Sequence, residues 1–364
     1  MKLAPERCVV RGRSALSFAP MRPIAIVGFL CVATGGAAVA SACSSFNEAE
    51  TGSADAATSE AAAIDAASAD SAVPDAQVFV DAAACVLATS PTLVAATTSV
   101  ATKLGTNGES LFWIEGGTRI VRASIADCST TEVAKGNINA LAVDPQWVVW
   151  GDDMYRSLAR NDVGTGVTPH MYNTPISPSL ILARGTALWL DPANGNVSAC
   201  DTPCVGTSVA AQVASPMLLA ANASRFFLFG VDADGGTAGA LFWHALTGGE
   251  LFGPITKNAD PLFLAANDQQ VFWVTSNGVV AGLPSGGGTP IPFDAVSGVQ
   301  ALAVDSSYVY VATATQIQRA PVSGVGAWKP VVTGETAIKS LLVTPDAVVW
   351  GTSVAVRRIM KPVP

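Results

Sequence analysis

The sequence predicts an all-β fold, a seven-bladed propeller ring closed by a strand from its own N-terminal side. Three observations predict it. A strand–turn–strand unit recurs about every 40 residues, each unit carries a large apolar residue at one register, and glycine and proline punctuate the chain. There are 33 Gly and 22 Pro in 364 residues, with half the residues hydrophobic and only 13% charged. That profile suits many short strands joined by turns around an ample core.

The second strands of the units read SLFWIE, WVVWGD, ALWLD, FFLFG, VFWVT, VYVAT and VVWGT. Aligned, they put Trp113, Trp150, Trp189, Leu228, Trp273, Val311 and Trp350 at one position. Self-similarity at this period, with strand patterning inside each unit, marks propeller blades. Period-two partners such as Leu111 with Trp113 and Val148 with Trp150 make these residues packing between neighbouring blades rather than a stacking platform for ligands. The seventh unit stops after its third strand, VRRIMKP. PTLVAATT at 91–98 is therefore expected to supply the missing outer strand and leave no open edge.

Within the units, LAVDPQWVVW (141–150) and LAVDSSYVYV (302–311) are followed by an apolar-x-Arg strand, as in IVRA (120–123) and IQRA (317–320). These pieces resemble the YWTD and NHL propeller repeats. The resemblance covers about residues 91–364 and implies the fold; it transfers no activity.

The segment before the ring is an address and a tether. Residues 1–42 hold five bases and one acid, with the uncharged run IAIVGFLCVATGGAAVA at 24–40. A basic start, an apolar middle and small residues before a cut site describe a secretory signal, its true start at Met1 or Met21. Ala40-Ser41-Ala42-Cys43 resembles the lipobox of bacterial lipoproteins. The resemblance implies lipidation of Cys43 (palmitate among the acyl chains), a membrane anchor and a place in the cell envelope, at the outer membrane or cell surface. Residues 43–84 form a linker rich in Ala, Ser and Asp, with eight acids and no base from 44 onward. Its acids recur every fifth residue, matching neither helix nor strand, so a disordered, self-repelling chain is expected. The folded domain is then 85–364.

From Cys85 onward there are 19 acids against 15 bases, a net −4 that gives no basic stripe for nucleic acid. Four cysteines remain in an oxidising compartment: Cys200 with Cys204 is expected to clamp a hairpin, and Cys85 with Cys128 to tie down the entry to the closing strand. A thiol zinc site is the alternative, without C-x2-C spacing or a nearby His.

No G-x-S-x-G, H-E-x-x-H, phosphate loop or G-x-G-x-x-G is present. His170 and His244 are the only histidines, placed on outer or core-edge strands. No catalytic residue, metal site or cofactor is assigned. Asp232-Ala-Asp234-Gly-Gly could open a calcium loop but lacks the later ligands, where Gly236 and Trp243 stand. One cluster stands out: Glu115, Asp152, Asp153, Asp191, Asp232 and Asp234 fall after the second strands of units one to four. Solvated turn carboxylates are the plainer account; a recognition face for cations or a basic partner is the sharper one. The function expected is a lipid-anchored binding or scaffolding module for a protein, glycan or small ligand. The alternative is an envelope enzyme of the propeller lyase or hydrolase type, with a site at the central channel.

Overall fold

The computed structural model describes residues 85–152, 157–162, 172–173, 179–191, 194–201, 208–231, 239–249 and 251–362. The expected secretory segment, Cys43 and the expected linker to residue 84 lie outside them, as do Asp153, His170, Cys204, Asp232 and Asp234. Among the described residues no helix is long and apolar enough to cross a membrane.

The described strands run in chain order from β1 (Thr92–Ala96). Sheet one is β2 (Ala101–Thr106), β3 (Ser110–Glu115), β4 (Arg119–Ser124) and β5 (Thr130–Lys135). Sheet two is β6 (Ile138–Val143), β7 (Trp147–Asp152), β8 (Ser157–Asp162) and β9 (Tyr172–Asn173). Sheet three is β10 (Leu180–Ala183), β11 (Thr186–Asp191), β12 (Asn196–Asp201) and β13 (Ser208–Gln212). Sheet four is β14 (Ala214–Ala221), β15 (Arg225–Val231), β16 (Gly239–Ala245) and β17 (Phe252–Ala259). Sheet five is β18 (Pro261–Ala266), β19 (Gln270–Thr275), β20 (Val280–Pro284) and β21 (Ile291–Pro292). Sheet six is β22 (Ala301–Val304), β23 (Tyr308–Ala312), β24 (Gln316–Pro321) and β25 (Lys329–Thr333). The last sheet takes β26 (Ser340–Val343), β27 (Ala347–Gly351) and β28 (Ala355–Met360), with β1 as its fourth strand.

Each sheet is an antiparallel meander of four strands, and β1 pairs with β28 from Thr92 opposite Arg358 to Ala96 opposite Ala355. The first strands β2, β6, β10, β14, β18, β22 and β26 pack each on the next, and β26 packs back on β2. They therefore surround a common axis, as in a propeller.

Seven apolar clusters lie between consecutive sheets, and period two decides which residue joins which. Leu111 and Trp113 face the last sheet with Val349 and Val356, whereas Phe112 and Ile114 face sheet two with Ile138 and Trp150. The pattern repeats around the ring. Trp189 packs back on Val149, Trp273 on Phe227 and Phe229, and Trp350 on Tyr310. All seven residues at the recurrent register are buried, at 4% exposure or less. Large side chains so enclosed carry about 3–5 kcal/mol each against truncation to alanine. They are inter-sheet core, as expected.

The turns between first and second strands share one device. Asn107, Asp144, Asn222, Asn267 and Asp305 each accept backbone N–H bonds from residues two and three further on, for instance 2.8 and 2.7 Å from Gln146 and Trp147 to Asp144. These Asx turns explain the Asp of the LAVD repeats. Two also stitch neighbouring hairpins, since Asn222 Nδ2 donates to Asn267 O at 3.0 Å and Asn267 Nδ2 to Asp305 O at 2.8 Å.

Cys85 is disulfide-bonded to Cys128, in the loop after the third strand of sheet one. Arg358, itself buried, donates to the carbonyls of Cys85 and Ile125, and Met360 N donates to Ala88 O at 2.7 Å. The entry to β1 is thus held on the face of the Asx turns. Cys200 is also disulfide-bonded; its expected partner Cys204 is outside the described residues.

Candidate functional site

The acidic cluster read from the sequence is not a solvated surface where it is described. Glu115, Asp152 and Asp191 end β3, β7 and β11, and are 3, 5 and 6% exposed. This position lies two residues past the core tryptophan, beneath the connection that enters the inner strand. Glu115 accepts bonds from the Thr98 amide and hydroxyl at 2.7 Å each and from Arg119 at 2.8 Å. Burial alone would raise its carboxyl, but the bonds from Arg119 and Thr98 prevail and hold it below the ordinary glutamate value. The Asp191 carboxylate accepts Asn194 Nδ2 at 2.7 Å. The Asp152 carboxylate fills the space beside Gly136, where a Cβ would collide with it. Glu115 and Asp152 meet the connections that enter the inner strands of their sheets, and Asp191 holds the turn after its own strand; turn composition alone could not show that they are buried.

His244 is buried in β16, stacked on Phe226, with its ring nitrogens 2.7 and 2.9 Å from the carbonyl oxygens of Ala245 and Gly249. It sits on a third strand, away from the axis. Among the described residues no group of three or more His, Cys, Asp or Glu is placed to hold a metal ion.

A cleft of about 520 Å³ between sheet six and the last sheet gathers charge on the Asx-turn face. Its groups satisfy one another: Lys361 bonds Asp305 at 2.6 Å, Tyr310 donates to Asp305 at 3.1 Å, and Arg319 lies 4.1 Å over the Tyr308 ring. Burial and the Asp305 charge push the Tyr310 hydroxyl far above its ordinary value, so it stays a donor. The cluster reads as a lock between sheets.

The axis is different. An inner strand is covered by a neighbouring sheet on each side and by its own second strand along one edge, so a side chain exposed from its middle reaches the channel. Four inner strands carry β-bulges near their starting ends, between Thr102 and Gly105, Ile138 and Ala140, Ala214 and Leu218, and Pro261 and Phe263. A bulge re-aims the extra residue out of the ladder. The residues so placed include Lys103, Asn139, Met217 and Leu262, of which Lys103, Met217 and Leu262 are exposed. At the same level Gln300 and Lys339 immediately precede β22 and β26, joined by a 3.0 Å bond from Lys339 Nζ to Gln300 Oε1.

Lys103 is the charged member of a left-handed set that also includes Ser215 in the β14 bulge and Ala337 before β26. Its backbone has φ 50°, a left-handed conformation that L side chains adopt at a cost of about 1–2 kcal/mol. Its ammonium makes no hydrogen bond or ion pair with any described residue. Although exposed to the channel, it loses enough water to the surrounding protein that burial pushes it below the ordinary lysine value. The sequence reading missed the channel residues because a bulge on an inner strand leaves no mark in hydropathy. The one legible signal was a lysine inside the otherwise small and apolar stretch ATKLGT.

No family model matches the chain, and no curated protein matches it. Solved structures are similar in fold. Hydrazine synthase of Kuenenia stuttgartiensis is 13% identical, with a TM-score of 0.56 over 72% of this chain and 95% of that one. Virginiamycin B lyase from Staphylococcus aureus is 10% identical, with a TM-score of 0.55 over 75% and 99%. The computationally designed Ika8 protein is 12% identical, with a TM-score of 0.55 over 74% and 98%. Identities this low show architecture alone, and with the ring of meander sheets they establish that the folded part of this chain is a β-propeller.

Proposed function

We propose that this propeller is a lipid-anchored envelope binding module that receives its ligand at the channel mouth where the inner strands begin. One observation carries the reading: four inner strands are bulged near their starting ends, and three of them present an exposed side chain there, Lys103, Met217 and Leu262. Sheets three, six and seven show no such shift in their first two strands. Bulges that re-aim side chains concentrate beside functional sites, and the strained backbone of Lys103 points the same way.

The anchor reading fits this placement. Cys85 enters on the Asx-turn face, opposite the connections that begin the inner strands. The lyase among the similar folds keeps the enzyme reading in view only as architecture. His244 lies off the axis, and Glu115, Asp152 and Asp191 are committed to strand ends.

The test uses the full-length protein purified from envelopes in detergent. Compounds released by solvent extraction are identified by mass spectrometry. Leu262→Trp narrows the mouth and is expected to abolish a specific retained compound, whereas Ser306→Trp on the opposite face retains it. Equal retention by both variants would overturn the channel as the binding site.

A further inference from the structure

The walls of the channel differ around the ring. In a ring of seven, sheets four and five stand across the axis from sheet one. Met217 and Leu262 project from those two sheets and are 42 and 48% exposed, although both are large apolar side chains on innermost strands. Sheet one offers Lys103, and the adjacent last sheet offers Lys339. Among the described carboxylates near this end, Glu115, Asp152 and Asp191 are buried at strand ends, whereas Asp260, immediately before β18, is exposed. Among the described residues, lysines therefore stand on one side of the mouth, and two large apolar side chains with one acid, Asp260, on the other.

Resting on the channel reading above, we propose that the ligand is an amphipathic organic anion, a carboxylate on an apolar body. The Lys103 ammonium meets the carboxylate, and Met217 with Leu262 covers the apolar part. Each element has a physical reason. A cation that makes no hydrogen bond or ion pair with a described residue, partly stripped of water, gains more from a carboxylate than a hydrated surface lysine does. Apolar side chains held in a channel gain by shedding water onto an apolar ligand. Lys339, turned toward Gln300, adds positive potential at the same side. Glycine would occupy the left-handed position at residue 103 without strain; a lysine there puts a charge at the axis instead.

The experiment is calorimetric titration of the full chain in nanodiscs at neutral pH, with empty nanodiscs as blank. The probes are 4-phenylbutanoate and its uncharged amide. The acid is expected to bind about tenfold or more tighter than the amide, the range of one charge-assisted bond. Lys103→Met should erase that preference and leave the amide's affinity unchanged, while Lys103→Arg keeps it. Lys103→Gly should also erase it yet melt no lower than wild type, and up to about 4 °C higher, because it relieves the backbone. Met217→Ser with Leu262→Ser should weaken both probes alike. Equal affinity of acid and amide in the wild type, or a preference surviving Lys103→Met, overturns the anion. The channel reading then stands if Leu262→Trp still abolishes binding. Binding untouched by Leu262→Trp lies elsewhere and overturns both. Failure of both probes to bind at millimolar concentration overturns the anion proposal, leaving the extraction experiment to judge the channel.

Discussion

Glu115 shows how a residue can look functional in sequence and prove structural in space. Its carboxylate is enclosed and accepts three bonds, two from Thr98 on the connection and one from Arg119 across the hairpin. Glu115→Gln keeps the shape and loses the charge, so a destabilisation of about 1–3 kcal/mol is expected in chemical denaturation. The pH dependence has a definite sign. The folded carboxyl lies below the ordinary value of 4.5, so its contribution is complete above that value and is lost as pH falls through the lower folded one. Wild type should therefore converge on the variant's stability in acid, as pH falls through the lowered folded value. A difference that persists undiminished in acid would show that packing, not charge, sets the cost. The indoles carry a different cost. The Nε1 atoms of Trp113, Trp189 and Trp350 are buried and meet no acceptor, so their stabilisation comes from apolar burial against the preceding sheet.

Among the elements, β1 matters most for its length. It contributes only Thr92–Ala96, yet it covers β28, and Val94 and Ala95 are buried in the cluster that joins the last sheet to sheet one. Deleting residues 86–98 exposes the β28 edge and opens that seam. Aggregation or a broadened, less cooperative melt is expected by light scattering and calorimetry. A deletion variant that melts like wild type would show that the last sheet is sound with three strands. The entry that β1 depends on is doubly fixed, by the Cys85–Cys128 bridge and by Arg358 on the Cys85 carbonyl. The bulged inner strands are the counterpart of this closure. β1 completes a ladder, whereas β2, β6, β14 and β18 interrupt theirs to reach the axis.

At the scale of the whole molecule, seven inter-sheet cores in series make the ring a continuous structure, while residues 44–84 have a composition with almost no large apolar side chains. The proposed lipid anchor would decide where the propeller works. Metabolic labelling with a fatty acid, followed by mass spectrometry of the mature N-terminus, should find acylated Cys43. Cys43→Ser should abolish both the label and the cut before residue 43. An unlipidated wild-type N-terminus would remove the anchor from the proposed function.

The repeat of large apolar residues, the alternation of Leu111 with Phe112 and Trp113 with Ile114, and the missing outer strand of the last unit were all legible in the sequence. Each is a local periodicity or a count, and strand pairing converts such periodicities directly into faces. The Cys85–Cys128 pairing was legible for a similar reason, since counting strands brings the entry of β1 beside the outer turn of sheet one. The direction of the carboxylates was not. Glu115, Asp152 and Asp191 follow a strand in a polar context that suits a solvated turn equally well, and only the connection folding over them makes them interior. The channel was decided wholly by tertiary structure. Lys103, Met217 and Leu262 are 45 or more residues apart in the chain, and they meet around one axis only because seven sheets close into a ring and bulges turn them inward.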